Sequence, residues 1–262
     1  MLSETQAGVK RDSLMGKYIY CITEAAEGES FGPMGIGDRG DELTTVTYRD
    51  IAAVVSESPV RRYPVSRENS LAHERAIEAV FKRHTVLPVR FCTIAEDEAM
   101  VRAILEREYD EFRDLLNAMR DKVEVGVKAV FHEELIYQEI LERYGEVRRR
   151  KEAIASLPSL KAYWQLVEIG RMVEEALKAE KDRVREEIVE ALKGACCDFR
   201  LTHRIIGERM IMNTAFLVDR AQEAAFDRKM DGLAERYGER ITFKYVVGFP
   251  PFNFVCLIIN VE

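Results

Sequence analysis

The sequence predicts an α+β fold with an N-terminal ferredoxin-like α/β sandwich, a central long helical segment and a C-terminal, modified ferredoxin-like α+β domain. Three observations predict it. Between residues 17 and 132, runs that alternate apolar and polar positions, as strands do, are interleaved with runs whose apolar residues recur every three or four positions, as on helices. From 133 to 194 the strand period disappears and charged residues dominate. Beyond 194 the strand-like runs return around one further helix. The expected organisation is a disordered leader at 1–16, an N-terminal domain at 17–132, a helical arm at 133–194 and a C-terminal domain at 195–262.

Lys17–Glu24 alternates Tyr18, Tyr20 and Ile22 against Ile19 and Cys21 and reads as the first strand. Ala25–Glu42, with five glycines and Pro33, has the composition of a loop. Leu43–Tyr48 and Ile51–Ser56 form a hairpin around Arg49-Asp50. Ser66 is placed to N-cap a helix that runs to about Arg83 with Leu71, Ile77, Val80 and Phe81 on its apolar side. Thr85–Ala95 is strand-like, but Pro88 lacks the N–H a central strand needs, so an edge or a bulge is expected there. Asp97–Met119 reads as one amphipathic helix. Asp121–Phe131 sets Val123, Val125, Val127 and Ala129 against Lys122, Glu124, Gly126 and Lys128, a half-buried strand. The order β, ββ, α, β, α, β implies two helices crossing one face of an antiparallel sheet.

In the arm, Leu160, Trp164, Val167, Val173, Leu177, Val184, Ile188 and Leu192 keep helical spacing, with a break near Pro158. Lys178/Asp182 and Arg183/Glu187 stand four apart, as exposed ion pairs on a helix do. The last part offers strands at Cys196–Ile206, Ile211–Asp219, Ile241–Val247 and Asn253–Val261, and a helix at Arg220–Tyr237 stopped by Gly238.

Composition narrows the function. The chain has 262 residues, with 39 Lys+Arg against 46 Asp+Glu and a net charge of −7. An acidic chain is a poor general binder of nucleic acid or of an anionic lipid membrane, which reward a cationic face. No run approaches 18 consecutive apolar residues, and Met1–Gly16 carries mixed charge without the apolar centre of a signal peptide. The five cysteines include no C-x-x-C pair and sit in apolar runs, where a thiol packs as a small hydrophobe. His73-Glu74 begins a zinc motif that Ile77 interrupts. Gly35–Gly40 matches G-x-G-x-x-G, yet the preceding strand ends about ten residues earlier and no helix follows to hold a phosphate, so it reads as a flexible loop. Nothing here assigns a catalytic, cofactor-binding or metal-binding residue.

Two stretches are unusual. In Thr85–Phe91, Arg90 interrupts an apolar strand and needs either solvent or a carboxylate such as Glu74 or Glu78. In Gly248–Val255, two prolines impose extended geometry between Phe249, Phe252 and Phe254. Each has a packing reading and a docking reading. On the docking reading the partner-binding residues are Arg90, Phe249, Pro250, Pro251, Phe252 and Phe254.

These stretches also carry a resemblance. Asp50–Ser56, His73-Glu74, Thr85–Thr93, Lys122–Lys128, Asn213–Val218 and Gly248–Val255, in this order, resemble the gas vesicle protein F/L family over nearly the whole chain. Cys92 stands where the family pattern leads one to expect glycine, and Phe252 where tyrosine is common. The resemblance implies a cytoplasmic, gas vesicle-associated accessory protein without enzymatic activity or cofactor, and a ferredoxin-like N-terminal domain. It also implies partners, namely the small hydrophobic shell protein and other accessory proteins, during vesicle nucleation and growth. A shell subunit with an apolar face and open strand edges would aggregate alone, and an acidic partner would keep it in solution. Two rival readings stand beside this one. One is a small-molecule-binding or enzymatic protein on a ferredoxin-like scaffold, which hosts many functions. The other is a self-associating structural component that uses the 133–194 arm.

Overall fold

The computed structural model describes residues 14–25, 28–37, 39–154, 159–202 and 207–261, so most of the expected leader, together with Pro158 and His203, lies outside the described residues. The chain divides into two compact units, one built from residues up to Glu124 with Gly248–Glu262, the other from Val125–Val247.

The first unit holds β1 (Met15–Glu24), β2 (Thr44–Tyr48), β3 (Ile51–Pro59), α1 (Arg67–Phe81), β4 (Val86–Ala95), α2 (Glu98–Arg107) and α3 (Tyr109–Met119). Its sheet runs β2-β3-β1-β4 with every neighbour antiparallel. Counted from the other edge this is 4-1-3-2, the ferredoxin-like order, with the loop after β1 in place of the first crossover helix. Ser66 caps α1 through its hydroxyl, which accepts the Asn69 N–H at 3.1 Å. The expected single helix at 97–119 is two, α2 and α3, meeting at Glu108.

The two crossover segments do not share a face. Ile19, Ile22, Ala53, Val55 and Leu87 point to one side, where they pack with Val101, Ile104 and Leu105 of α2 and Phe112 of α3. Tyr18 and Tyr20 point to the other, where His73 of α1 stacks on Tyr20 and bonds Tyr18. The sheet is therefore covered on both sides. The physical reason is visible in β1 and β3, whose runs Tyr18–Ile22 and Ile51–Val55 are apolar at consecutive positions, the mark of two-sided burial. At the start of the Gly35–Gly40 stretch Ile36 is fully buried and donates its N–H to the Tyr20 hydroxyl at 2.8 Å.

Pro88 behaves as its missing N–H requires. β4 is an edge strand in the sheet order, and it bulges, because Cys21 pairs with Pro88 while Ile19 pairs with Thr93. Inside the bulge Cys92 takes φ 66°, the left-handed region that favours glycine. The β4 edge is covered from the C-terminus. Leu257 donates to Pro88 O at 2.8 Å and accepts from Arg90 N–H at 2.9 Å, in a parallel bridge. Val255, Leu257 and Ile259 enter the same core as α2 and α3. Asn253–Val261 is thus not a strand of the C-terminal sheet, as expected, but a strip along the first one.

The second unit holds β5 (Lys122–Phe131), α4 (Glu133–Arg143), α5 (Gly145–Ile154), α6 (Ser159–Lys193), β6 (Asp198–Leu201), β7 (Met210–Asp219), α7 (Glu223–Tyr237) and β8 (Ile241–Phe249). Its sheet runs β6-β7-β5-β8, which in chain order repeats the pattern of the first. β5 opens the second sheet, and α4, α5 and α6 are that sheet's first crossover. The turn after α6 carries Cys196 and Cys197, and β6 begins only at Asp198. Of the two expected ion pairs on α6, Arg183–Glu187 forms, whereas Asp182 pairs with Arg185 at 2.7 Å. Both sheets are of the α+β, ferredoxin-like kind the sequence predicts.

Candidate partner-binding surface

In the first unit the sequence-predicted residues separate into an outward and an inward set. Arg90 is exposed and makes no ion pair among the described residues, so neither Glu74 nor Glu78 holds it. Pro250, Pro251 and Phe254 are buried, and Phe249 and Phe252 are half-buried. The two prolines shape a tight turn in which Phe252 N–H reaches Pro250 O at 2.7 Å and Val255 N–H reaches Pro251 O at 2.9 Å. Glu124, expected on the polar face of its strand, is buried, and its carboxylate accepts from both the backbone N–H of Asn253, at 2.7 Å, and its side-chain amide. A buried carboxylate needs such donors. The Phe-Pro-Pro-Phe stretch is consequently an anchor for the strip that follows. Along that strip alternate residues face outward, and Ile258 is 66% exposed on the β4 edge that also carries Arg90.

Beneath this edge lies a buried polar layer. Val89 O can only accept, so His73 Nε2 carries the ring proton and donates to it at 3.0 Å. His73 Nδ1 then accepts from the Tyr18 hydroxyl at 3.1 Å, and Tyr18 accepts the Cys92 N–H at 2.9 Å. Tyr20 accepts the Ile36 N–H and donates to Ser56 Oγ at 2.9 Å. Burial dominates the titration of all three rings. It lowers His73 to about 4 against the acceptor of its ring proton, lifts Tyr20 to about 12 and pushes Tyr18 further still. The Cys21 thiol is likewise driven up by complete burial. None of these groups exchanges a proton near neutral pH, so the layer serves to fix the shape of the β4 bulge and hence the position of Arg90.

The second unit presents apolar surface that the sequence reading did not select. All four residues of β6 are exposed, and β6 is the edge strand of its sheet. Phe199 and Leu201, two apart, share one side, and the Phe199 ring lies 6.0 Å from that of buried Phe216. An edge strand with apolar side chains is a template for adding another strand. The overlooked signal was the shortness of Asp198–Leu201, because an edge strand buries too little to show a clear period. The cysteines also depart from expectation. Cys21 is buried, but Cys197 and Cys256 are exposed.

Taken together, the two units define an α+β protein with a buried polar layer beneath one sheet and exposed apolar side chains on the edge strand of the other. Residues 16–256 match the gas vesicle synthesis protein GvpL/GvpF family, and the chain belongs to that family. It is 28% identical over 242 residues to gas vesicle protein F of Streptomyces sp. (strain CB03234), covering 92% of this chain and 100% of that one. It is 22% identical to gas vesicle protein L1 of Halobacterium salinarum, with 96% and 94% of the two chains covered. The fold is that of the crystal structure of GvpF from Anabaena sp. PCC7120, with a TM-score of 0.77 at 22% identity over 91% of this chain and 97% of that one. Family membership assigns the protein to gas vesicle formation.

Proposed function

We propose that this chain is a non-enzymatic assembly factor, cytoplasmic and associated with gas vesicles. It binds the small hydrophobic shell protein and other accessory proteins during vesicle nucleation and growth. The observation that carries the reading is β6, an edge strand among the described residues, where Phe199 and Leu201 are exposed in an otherwise acidic chain. Such an edge receives an extended apolar segment by backbone pairing and covers its side chains, which is what an aggregation-prone subunit requires before incorporation. Arg90 and Ile258 form a second, smaller contact on the first unit. Phe249, Pro250, Pro251, Phe252 and Phe254 contribute by holding that contact in place. Among the described residues no helix is long and apolar enough to cross a membrane.

The test is capture of purified shell protein by the immobilised chain. The wild type is expected to retain it, and the double substitution F199D/L201D to weaken retention about tenfold or more, while the circular dichroism spectrum stays unchanged. Failure of the wild type to retain shell protein overturns the reading.

A further inference from the structure

The apolar stripe of α6 extends beyond the part of the helix that the second unit covers. Val184, Ile188 and Leu192 are fully buried, whereas about five to six turns further back Tyr163, Trp164, Leu166 and Val167 are 61, 71, 55 and 52% exposed. Four large apolar side chains within five residues leave on the order of 500 Å² of apolar surface in water, as much as the largest patches on monomeric proteins. Immediately along the same helix, α4 and α6 border a groove of about 570 Å³ lined by Tyr137, Val173, Glu174, Leu177, Lys178, Lys181 and Glu208. Gly170 lines the end nearest the patch, and a side chain there would meet nothing within 4 Å. Glu174 and Glu208 share the rim with the two lysines, while Glu175 pairs with Arg171, Glu180 with Arg183 and Asp182 with Arg185. Lys178 and Lys181 make no ion pair among the described residues.

We propose that this face is a homodimer interface, in which the Tyr163–Val167 patch of each copy seats in the groove of the other about a twofold axis at Gly170. At 1.5 Å and 100° per residue, Tyr163 and Leu177 each lie about 10.5 Å from Gly170, on opposite sides and on the same helix face, so antiparallel pairing at Gly170 brings each Tyr163, with the Trp164 ring 5.7 Å from it, level with the partner's groove. A patch and its receptor at matched distances on either side of one point are what a self-complementary, twofold contact needs. Gly170 on the axis lets the two helices approach closely. The rim mixes Lys178 and Lys181 with Glu174 and Glu208, so across a twofold axis opposite charges can meet and the lysines can also face aromatic rings. A partner that filled the groove alone would leave the Tyr163–Val167 patch in water, whereas a second copy covers both. Two patches and two grooves together exceed about 1,000 Å², enough for specific if modest association.

Trp164 is the chain's single tryptophan and reports on the contact directly. Light scattering on the full chain is expected to show the mass rising from one chain of 30.1 kDa to two, with a midpoint between about 1 and 100 μM. Tryptophan emission should move to shorter wavelength over the same concentrations. Gly170→Arg and Val167→Glu change exposed helical positions and leave the fold intact, and each should hold the protein at one chain with the emission of an exposed indole. A wild type that stays at one chain up to about 500 μM overturns the proposal, as does a dimer that survives both substitutions.

Discussion

Cys92 shows how one backbone angle links sequence to surface. Its φ of 66° belongs to the region where a β-carbon crowds the neighbouring carbonyl, at a cost of roughly 1–2 kcal/mol for an L-residue. The bulge nevertheless uses the residue twice, since its N–H donates to the Tyr18 hydroxyl and its Sγ accepts the Tyr63 N–H at 3.2 Å. Cys92→Gly keeps the first bond, loses the second and relieves the strain. It should raise stability by up to about 1 kcal/mol in urea unfolding, against the usual penalty for glycine in a strand. A loss of about 1 kcal/mol instead would show that the sulfur contact outweighs the strain. The expectation of glycine at this position was legible from the family pattern, but its reason was not, because a bulge two-against-five leaves no periodic trace in the sequence. Arg90 was half-legible: an arginine in an apolar strand had to reach solvent or a carboxylate, and solvent prevails because the bulge turns it outward.

At the scale of elements, strand and helix positions followed from period, and partnership did not. Asn253–Val261 reads as a strand because alternate residues are apolar, and those residues are indeed inward. Which sheet they serve depends on long-range pairing that alternation cannot encode. The strip is tied by two backbone bonds to β4, by the Glu124 carboxylate and by Arg107, which donates to Asn260 O at 3.1 Å. Most of its stabilisation must then come from Val255, Leu257 and Ile259. Leu257→Ala is expected to cost about 2–4 kcal/mol and lower the urea midpoint accordingly, with little change in m-value. A change below about 0.5 kcal/mol would show that the strip lies on the sheet without being part of its core. The same limit explains α6: its stripe was read along its whole length, but only the structure shows where cover ends and Trp164 begins to face water.

Across the whole molecule, the two units should respond to acid in separate windows. In the first, His73 is held neutral by burial, with its folded value near 4 against 6.5 unfolded. The unfolded chain therefore binds more protons between those values, and stability falls by up to about 3 kcal/mol as pH drops from 6.5 toward 4. In the second, burial alone would raise Glu180, but hydrogen bonds from Arg183 and Arg240 and the charge of Arg143 hold it near 2. Its contribution is intact above about 4.5 and is lost as pH falls toward 2. Urea titrations of His73→Gln should flatten the upper window and spare the lower, and Glu180→Gln should do the reverse while destabilising the protein at pH 7. Equal effects of both variants in both windows would refute the assignment. The −7 net charge, legible at once, is spread over helix faces where arginine and glutamate largely pair, so it governs solubility more than shape.

The route of the backbone gives the strip along β4 one more role, in time rather than space. Residues 248–262 complete the core of the first unit, yet ribosomes make them only after all of Val125–Val247. During synthesis the first sheet waits with its β4 edge bare while the second unit folds, so a unit that begins the chain is among the last parts to be finished. Until that closing strip arrives, the nascent chain carries an open apolar edge of its own, the same hazard that its proposed client presents.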